Sequence, residues 1–180
     1  NERFETFYEE IDRLTKMVDN LRDLAKLEQT NISINKSKVN LSNELEKIID
    51  TYEPLYIKEN YELMSIITPD IVANIDIDKF KQIMNNLLSN SYKYLRPNGT
   101  VKVVLKKENN IIMIKVIDNG IGIPDKDIPY IFERFYRSDL SRDTNTGGSA
   151  IGLTITKAFI EAHGGKIYLE SKVNEGTTFT

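Results

Sequence analysis

The stretch Thr100–Pro124, "TVKVVLKKENNIIMIKVIDNGIGIP", decides how the rest of the chain reads. "TVKVVLKKE" and "IIMIKVID" read as two strands, and Asn109–Asn110 between them is a hairpin signal. The second strand ends at Asp118, and Gly120 and Gly122 follow directly. A carboxylate at a strand end beside two glycines lets side chain and backbone approach a flat ligand closely. Taken alone, Asp-Asn-Gly is a common turn.

Upstream of this hairpin, Asp76 is placed to cap a helix running through about Leu95, and "RPNGT" is a turn. "YELMSIIT" and "VANI" read as strands. Ser42 is the predicted cap of a helix running to about Ile57, with Glu44 and Glu46 in its first turn, where the helix dipole favours acidic groups. Downstream, "GGKIYLESK" and "GTTFT" predict a second hairpin. Between the two hairpins lies a glycine-, serine- and threonine-rich stretch at about residues 138–150, and irregular loops of that length are functional or disordered. Residues 41–180 therefore read as one α/β domain, preceded by a polar link at 31–40.

Residues 3–29 read differently. Phe4, Ile11, Val18 and Ala25 are seven apart, and Phe7, Leu14 and Leu21 repeat with the same period, broken only at Glu28. That heptad spacing, with Met17 and Leu24 widening the stripe, predicts one long helix of a four-helix bundle rather than a helix on the domain's own core. With half its bundle absent, the helix would expose Phe4, Phe7, Ile11 and Leu14 unless it self-associates or frays.

Composition narrows the function. Hydrophobic residues make up 40%, enough for a core, and the net charge of −3 lacks the basic excess of a general nucleic-acid binder. The absence of cysteine excludes disulfides, thiolate metal sites and cysteine nucleophiles. No apolar run is long enough to span a membrane. The chain opens on Asn1 rather than Met and reads as part of a longer protein.

Four clusters carry chemistry. In "NNLLSNSYKY" (85–94), Asn86, Asn90 and Lys93 fall at i, i+4 and i+7 and share a helix face, with Leu87 and Leu88 turned inward. An amide oxygen suits Mg²⁺ as a hard ligand, and a lysine meets phosphate as a point charge. "DNGIGIP" (118–124) is the strand-end turn described above. "IFERFYR" (131–137) offers Arg134 and Arg137 for phosphate, although its aromatics could simply be core. "GGSAIGL" (147–153) precedes the last helical segment as a glycine-rich turn would precede an anion-binding helix start, but it is neither a P-loop nor GxGxxG. Each alone is weak.

In this order and spacing the four resemble the N, G1, F and G2 boxes of the ATP-binding catalytic domain of sensor histidine kinases. "EGTTF" resembles the last glycine motif of that family and "AHGGKI" the usual lead into the strand before it. Residues 1–30, ending in "NLRDLAKLE", look like the second helix of the dimerisation and phosphotransfer hairpin. The resemblance implies an α+β fold, a two-layer α/β sandwich of the Bergerat type: a mixed sheet covered on one face by helices, preceded by one long bundle-forming helix. ATP would lie between two helices under a lid. Asn90 would ligate Mg²⁺ with Asn86 in support, Lys93 would meet the phosphates and Tyr94 would border the nucleotide. Asp118 would accept from the adenine amino group, while Gly120, Gly122 and Ile123 would shape the pocket. Arg137 would contact the terminal phosphate. Backbone amides from Gly148 through Ala150, Ile151 and Gly152 to Leu153 would line the phosphates, and Thr177 or Thr178 would help hold the adenine edge. Implied partners are a second copy through a completed hairpin and a response regulator receiver domain. The resemblance also implies a cytoplasmic domain of a membrane-anchored parent.

Two departures from the family's pattern matter. The single histidine, His163, sits at a helix-to-strand turn and is not the family's phosphoacceptor, so the acceptor belongs on another helix. Related ATPases of the gyrase and mismatch-repair kind carry a glutamate where this chain has Asn86, which favours a kinase over a hydrolase. The second departure is Ala150, where the family's turn prefers glycine. If that position needs positive φ, alanine costs about 1–2 kcal/mol, roughly tenfold in an equilibrium; if not, it adds a methyl group near the phosphates and stiffens the loop. This reading expects Ala150→Gly to tighten ATP binding about tenfold with little change for ADP, read by calorimetry in Mg²⁺; equal ATP affinities would show the methyl group to be tolerated.

Overall fold

The computed structural model describes residues 32–136 and 151–180, together with Ile11, Thr15 and Val18. These three are helical, and Ile11 and Val18, both on the predicted stripe, are exposed. The other heptad residues and the loop at 138–150 lie outside the described residues.

β1 (Ser37–Asn40) leads directly into α1 (Leu41–Lys58), followed by β2 (Glu62–Ile67) and β3 (Val72–Ile75). α2 (Ile77–Tyr94) then enters the long hairpin of β4 (Thr100–Glu108) and β5 (Ile111–Asp118). α3 (Gly152–Ala162), β6 (Leu169–Lys172) and β7 (Gly176–Phe179) complete the described chain. Five strands form one mixed sheet in the order β2-β4-β5-β7-β6, in which only β2 and β4 run parallel. β1 and β3 form a separate antiparallel pair, Ser37 opposite Ile75 and Asn40 opposite Val72. The link predicted at 31–40 thus ends in a strand, because its last four residues pair with "VANI".

Local signals explain most of these elements. Asn109 and Asn110 hold φ of 48° and 64°, the two left-handed positions of a tight hairpin turn. Asp76 caps α2 as expected, its Oδ1 accepting from the backbone N–H groups of Asp78 and Lys79 at 3.1 Å each. The Ser42 cap is corrected. Because β1 runs into α1 without a gap, the cap falls on Asn40, whose Oδ1 accepts from Asn43 N at 3.1 Å. Ser42 is instead inside the helix and 1% exposed. Its hydroxyl donates to Thr68 O at 2.7 Å and accepts from Ile71 N at 3.0 Å, pinning α1 to the β2–β3 connection. Glu44 lies in the first turn and pairs with Lys47; Glu46 falls beyond it.

The core forms where the helices meet one face of the sheet. Strand alternation sends Val101, Val103 and Leu105 of β4, Val116 of β5 and Phe179 of β7 towards the helices, and all are buried. They meet Leu45 and Tyr56 of α1, Met84 and Leu88 of α2, and Ile155 and Phe159 of α3. Asp118 continues this inward row at the end of β5, opposite Val101. The hydrophobic register therefore carries a carboxylate into the interior.

His163 follows α3 at its C-terminal end. Its Nε2 accepts from Asp76 N at 3.0 Å, and its Nδ1 lies 2.6 Å from Phe159 O, which fixes Nδ1 as the protonated nitrogen. Removing the Ser42 hydroxyl leaves the buried Ile71 N–H without its partner and costs the part-buried Thr68 carbonyl a donor, so Ser42→Ala is expected to cost about 1–3 kcal/mol in urea denaturation. Asn40→Ala, which removes only an exposed cap, is expected to cost about 1 kcal/mol.

Candidate functional site

The site is built around Asp118, which is 8% exposed. One carboxylate oxygen accepts from Gly120 N at 3.0 Å and Thr177 N at 3.2 Å; the other accepts from Ser91 Oγ at 3.2 Å. Three elements thus converge on one side chain: the turn after β5, the start of β7 and the inner face of α2. Burial pushes the Asp118 carboxyl above its ordinary value, and the bonds from Gly120, Ser91 and Thr177 pull it partly back.

The glycines are demanded by close packing around this group. Gly176 has φ of 115°, and a Cβ there would stand 1.9 Å from Asp118 O. Gly122 has φ of 70°, and its Cβ would stand 2.0 Å from Lys172 O. The turn after β5 and the β6–β7 hairpin are therefore pressed together. Asn174 N donates to Ile121 O at 2.8 Å, and Ile123 N donates to Ser171 Oγ at 2.9 Å. The floor of the turn rests on α2, where Ile121 N donates to Tyr94 O at 3.0 Å, and a Cβ on Gly120 would meet that same oxygen.

α2 and α3 form the opposite wall. Asn86 Nδ2 donates to Gly152 O at 3.0 Å and to Thr156 Oγ1 at 3.3 Å, joining the middle of α2 to the first turn of α3. Asn90 and Lys93 follow Asn86 on the same face, half-buried, while Leu87 and Leu88 are buried in the core. The Lys93 ammonium lies 5.2 Å from the centre of the Tyr94 ring. Ile151 is buried and precedes α3, to which its own side chain gives no cap bond. Leu153 is half-buried against the core.

The structure therefore brings Tyr94, Asp118, Gly120 and Thr177 together at the end of β5, sets Gly122 and Ile123 against the β6–β7 hairpin beside them, and joins Asn86 to Gly152 further back along α2. It separates the two threonines. Thr177 pairs with Asp118 and faces the helices, whereas Thr178 pairs with Ile117 and Glu170 on the far face of the sheet. Arg137, Gly148 and Ala150 lie outside the described residues. Sequence reading missed Ser91, Ser171 and Gly176 as parts of the site. Gly176 was detectable in "EGTTF"; the two serines acquire their roles only through partners distant in sequence.

With this geometry established, comparison with known proteins is direct. Residues 75–180 match the profile of the histidine kinase-, DNA gyrase B- and HSP90-like ATPases, and the chain belongs to that family. The sensor histidine kinase WalK of Bacillus subtilis is 34% identical over 173 residues, covering 95% of this chain and 28% of that protein. The chain thus spans less than a third of that relative. The catalytic domain of the histidine kinase ThkA, solved free of nucleotide, has a TM-score of 0.70 at 26% identity, over 81% of this chain and 92% of that one. A longer ThkA structure, in complex with the response regulator TrrA, has a TM-score of 0.75 at 20% identity, over 94% and 47%. Full-length ShkA, solved with AMPPNP, shares the fold at a TM-score of 0.84 and 21% identity, over 99% and 37%. The α+β architecture, with a mixed sheet and helices, is the one these kinase domains share.

The Asp118 environment predicts a pH signature. Its pKa is higher folded than unfolded, so its contribution to stability is full below the unfolded value near 3.8 and is lost as pH rises through the folded value. Asp118→Asn keeps an oxygen for Gly120 and Thr177 and offers an amide N–H to Ser91 Oγ. Relative to wild type, the asparagine variant is expected to gain stability as pH rises from 4 to 7, measured by urea denaturation at each pH. A difference that does not change with pH would show that burial does not perturb this carboxyl.

Proposed function

We propose that this chain is the catalytic portion of a sensor histidine kinase, moving the terminal phosphoryl group of ATP to a histidine on another helix. The observation that carries the reading is the buried Asp118 carboxylate, held by three donors at the end of β5. It would accept a hydrogen bond from the adenine amino group. Lys93 and Arg137 would serve the phosphates, with the backbone of Gly148, Ala150, Ile151, Gly152 and Leu153 around them. The start of α3, where Ile151 makes no side-chain cap bond, supports this, since N–H groups at a helix start favour an anion.

The residues present fit Mg²⁺. Among the described residues no group of three or more acidic or histidine side chains could hold a metal by itself. Mg²⁺ is commonly held by one or two oxygen ligands together with substrate phosphates, and Asn90 would supply the amide oxygen. When bound, the ion would neutralise phosphate charge. The protein's own part is to bind, orient and neutralise, which is what phosphoryl transfer chiefly requires.

The acceptor would lie outside this chain, a reading supported by its one histidine, whose two ring nitrogens bond to Asp76 and Phe159. Residues 1–30 would form the second helix of the dimerisation hairpin, and a response regulator receiver domain would take the phosphoryl group onward. The ThkA complex supports that partner. No described helix is long and apolar enough to cross a membrane. We assign the chain to the cytoplasmic side of a membrane-anchored parent.

The decisive experiment incubates the chain with labelled Mg²⁺–ATP, with and without a peptide carrying an acceptor-histidine helix. Label is expected on the peptide, and Asp118→Asn is expected to abolish it. Binding without transfer would make the chain a nucleotide-binding module. Steady phosphate release without the peptide would make it a hydrolase.

A further inference from the structure

Ser171 carries a hydroxyl that is fully committed. It lies on β6 opposite Thr177 of β7, which lies opposite Asp118 of β5, so the three form a row across the helix-facing side of the sheet. Ser171 Oγ has three polar neighbours: Ile123 N at 2.9 Å, Gly176 O at 2.8 Å and Thr177 Oγ1 at 2.9 Å.

A serine hydroxyl has one proton and two lone pairs. The Gly176 carbonyl can only accept, so it takes the proton. The Ile123 N–H can only donate, so it occupies one lone pair. The third contact must then use the remaining lone pair, which requires the Thr177 hydroxyl to donate to Ser171. No other assignment satisfies all three contacts. Thr177 Oγ1 is left with lone pairs alone towards anything beside it. Next to it Asp118 accepts each of its three hydrogen bonds.

We infer that Ser171 determines base specificity without touching the base. By holding the Thr177 proton, it keeps this edge of the pocket acceptor-only. Such an edge selects a purine with an amino group at position 6 and rejects one with a carbonyl there, because two sets of lone pairs would face each other unpaired. The inference rests on the reading of Asp118 as the base-binding carboxylate and adds a positioning residue, Ser171, that acts through Thr177.

The test is calorimetric titration of ATP and inosine triphosphate into the chain and into Ser171→Ala, Ser171→Thr, Thr177→Val and the Ser171→Ala/Thr177→Val double variant. Circular dichroism confirms that each is folded. The chain is expected to prefer ATP. Ser171→Ala frees the Thr177 hydroxyl to turn and donate, so the ATP-to-inosine preference is expected to fall about tenfold, the worth of one hydrogen bond. Ser171→Thr, which keeps a hydroxyl, is expected to restore it. The double variant is expected to match Thr177→Val alone, since without the threonine proton Ser171 has nothing to direct. If Ser171→Ala weakens both nucleotides by one factor and leaves their ratio unchanged, Ser171 is merely structural and the inference falls. Should Ser171→Ala misfold, Thr177→Val decides: an unchanged ratio there overturns the inference. Asp118→Asn separates the two levels. If it leaves ATP affinity intact, the base-binding reading itself fails; if it removes ATP binding while Ser171→Ala keeps the ratio, only the inference fails.

Discussion

Everything in this site follows from burying one carboxylate at the end of a strand. Asp118 occupies the inward register position that would otherwise hold an aliphatic residue, opposite Val101 and two residues beyond Val116. A buried charge without partners is prohibitively costly, so the fold must bring donors to it. Ser91 comes from α2, Gly120 from the turn and Thr177 from β7. Each donor restricts its own element. Ser91 fixes the rotation of α2, which orients the face carrying Asn86, Asn90 and Lys93. Gly120 N fixes the turn, and Thr177 N fixes where β7 begins. For β7 to start there, Gly176 must pass against Asp118 O, closer than any side chain permits.

Parts of this were legible in the sequence because they are local. The β4–β5 hairpin was readable since asparagine tolerates the positive φ that both turn positions, Asn109 and Asn110, hold. The Asp76 cap was readable since the side chain bonds to its own next residues. The four boxes were readable as an ordered set. Other parts are tertiary. Nothing within "SKVN" says that it pairs with "VANI", and that pairing moved the α1 cap from Ser42 to Asn40. Thr177 and Thr178 could not be separated until the register with Asp118 was known. Ser171 looks like any polar residue on a short strand. Its role comes from Ile123 on one side and Gly176 on the other, and only the folded chain brings these together.

Asn86 shows how the same packing bears on reaction type. The resemblance implies a glutamate at this place in the family's hydrolases, and the difference reads at first simply as the loss of a base. The geometry gives it a positive role. Asn86 Nδ2 donates to the carbonyl of Gly152 and to Thr156 Oγ1, so the amide binds α2 to the first turn of α3. A carboxylate has no N–H to give. It would set its charge against the Gly152 carbonyl and forfeit the bond to it. The residue that ties the two helices together is thus chemically unable to activate water as a general base. Under the proposed transfer to a histidine, one amide would both hold the wall of the site together and deny water the base by which ATP would be lost to it.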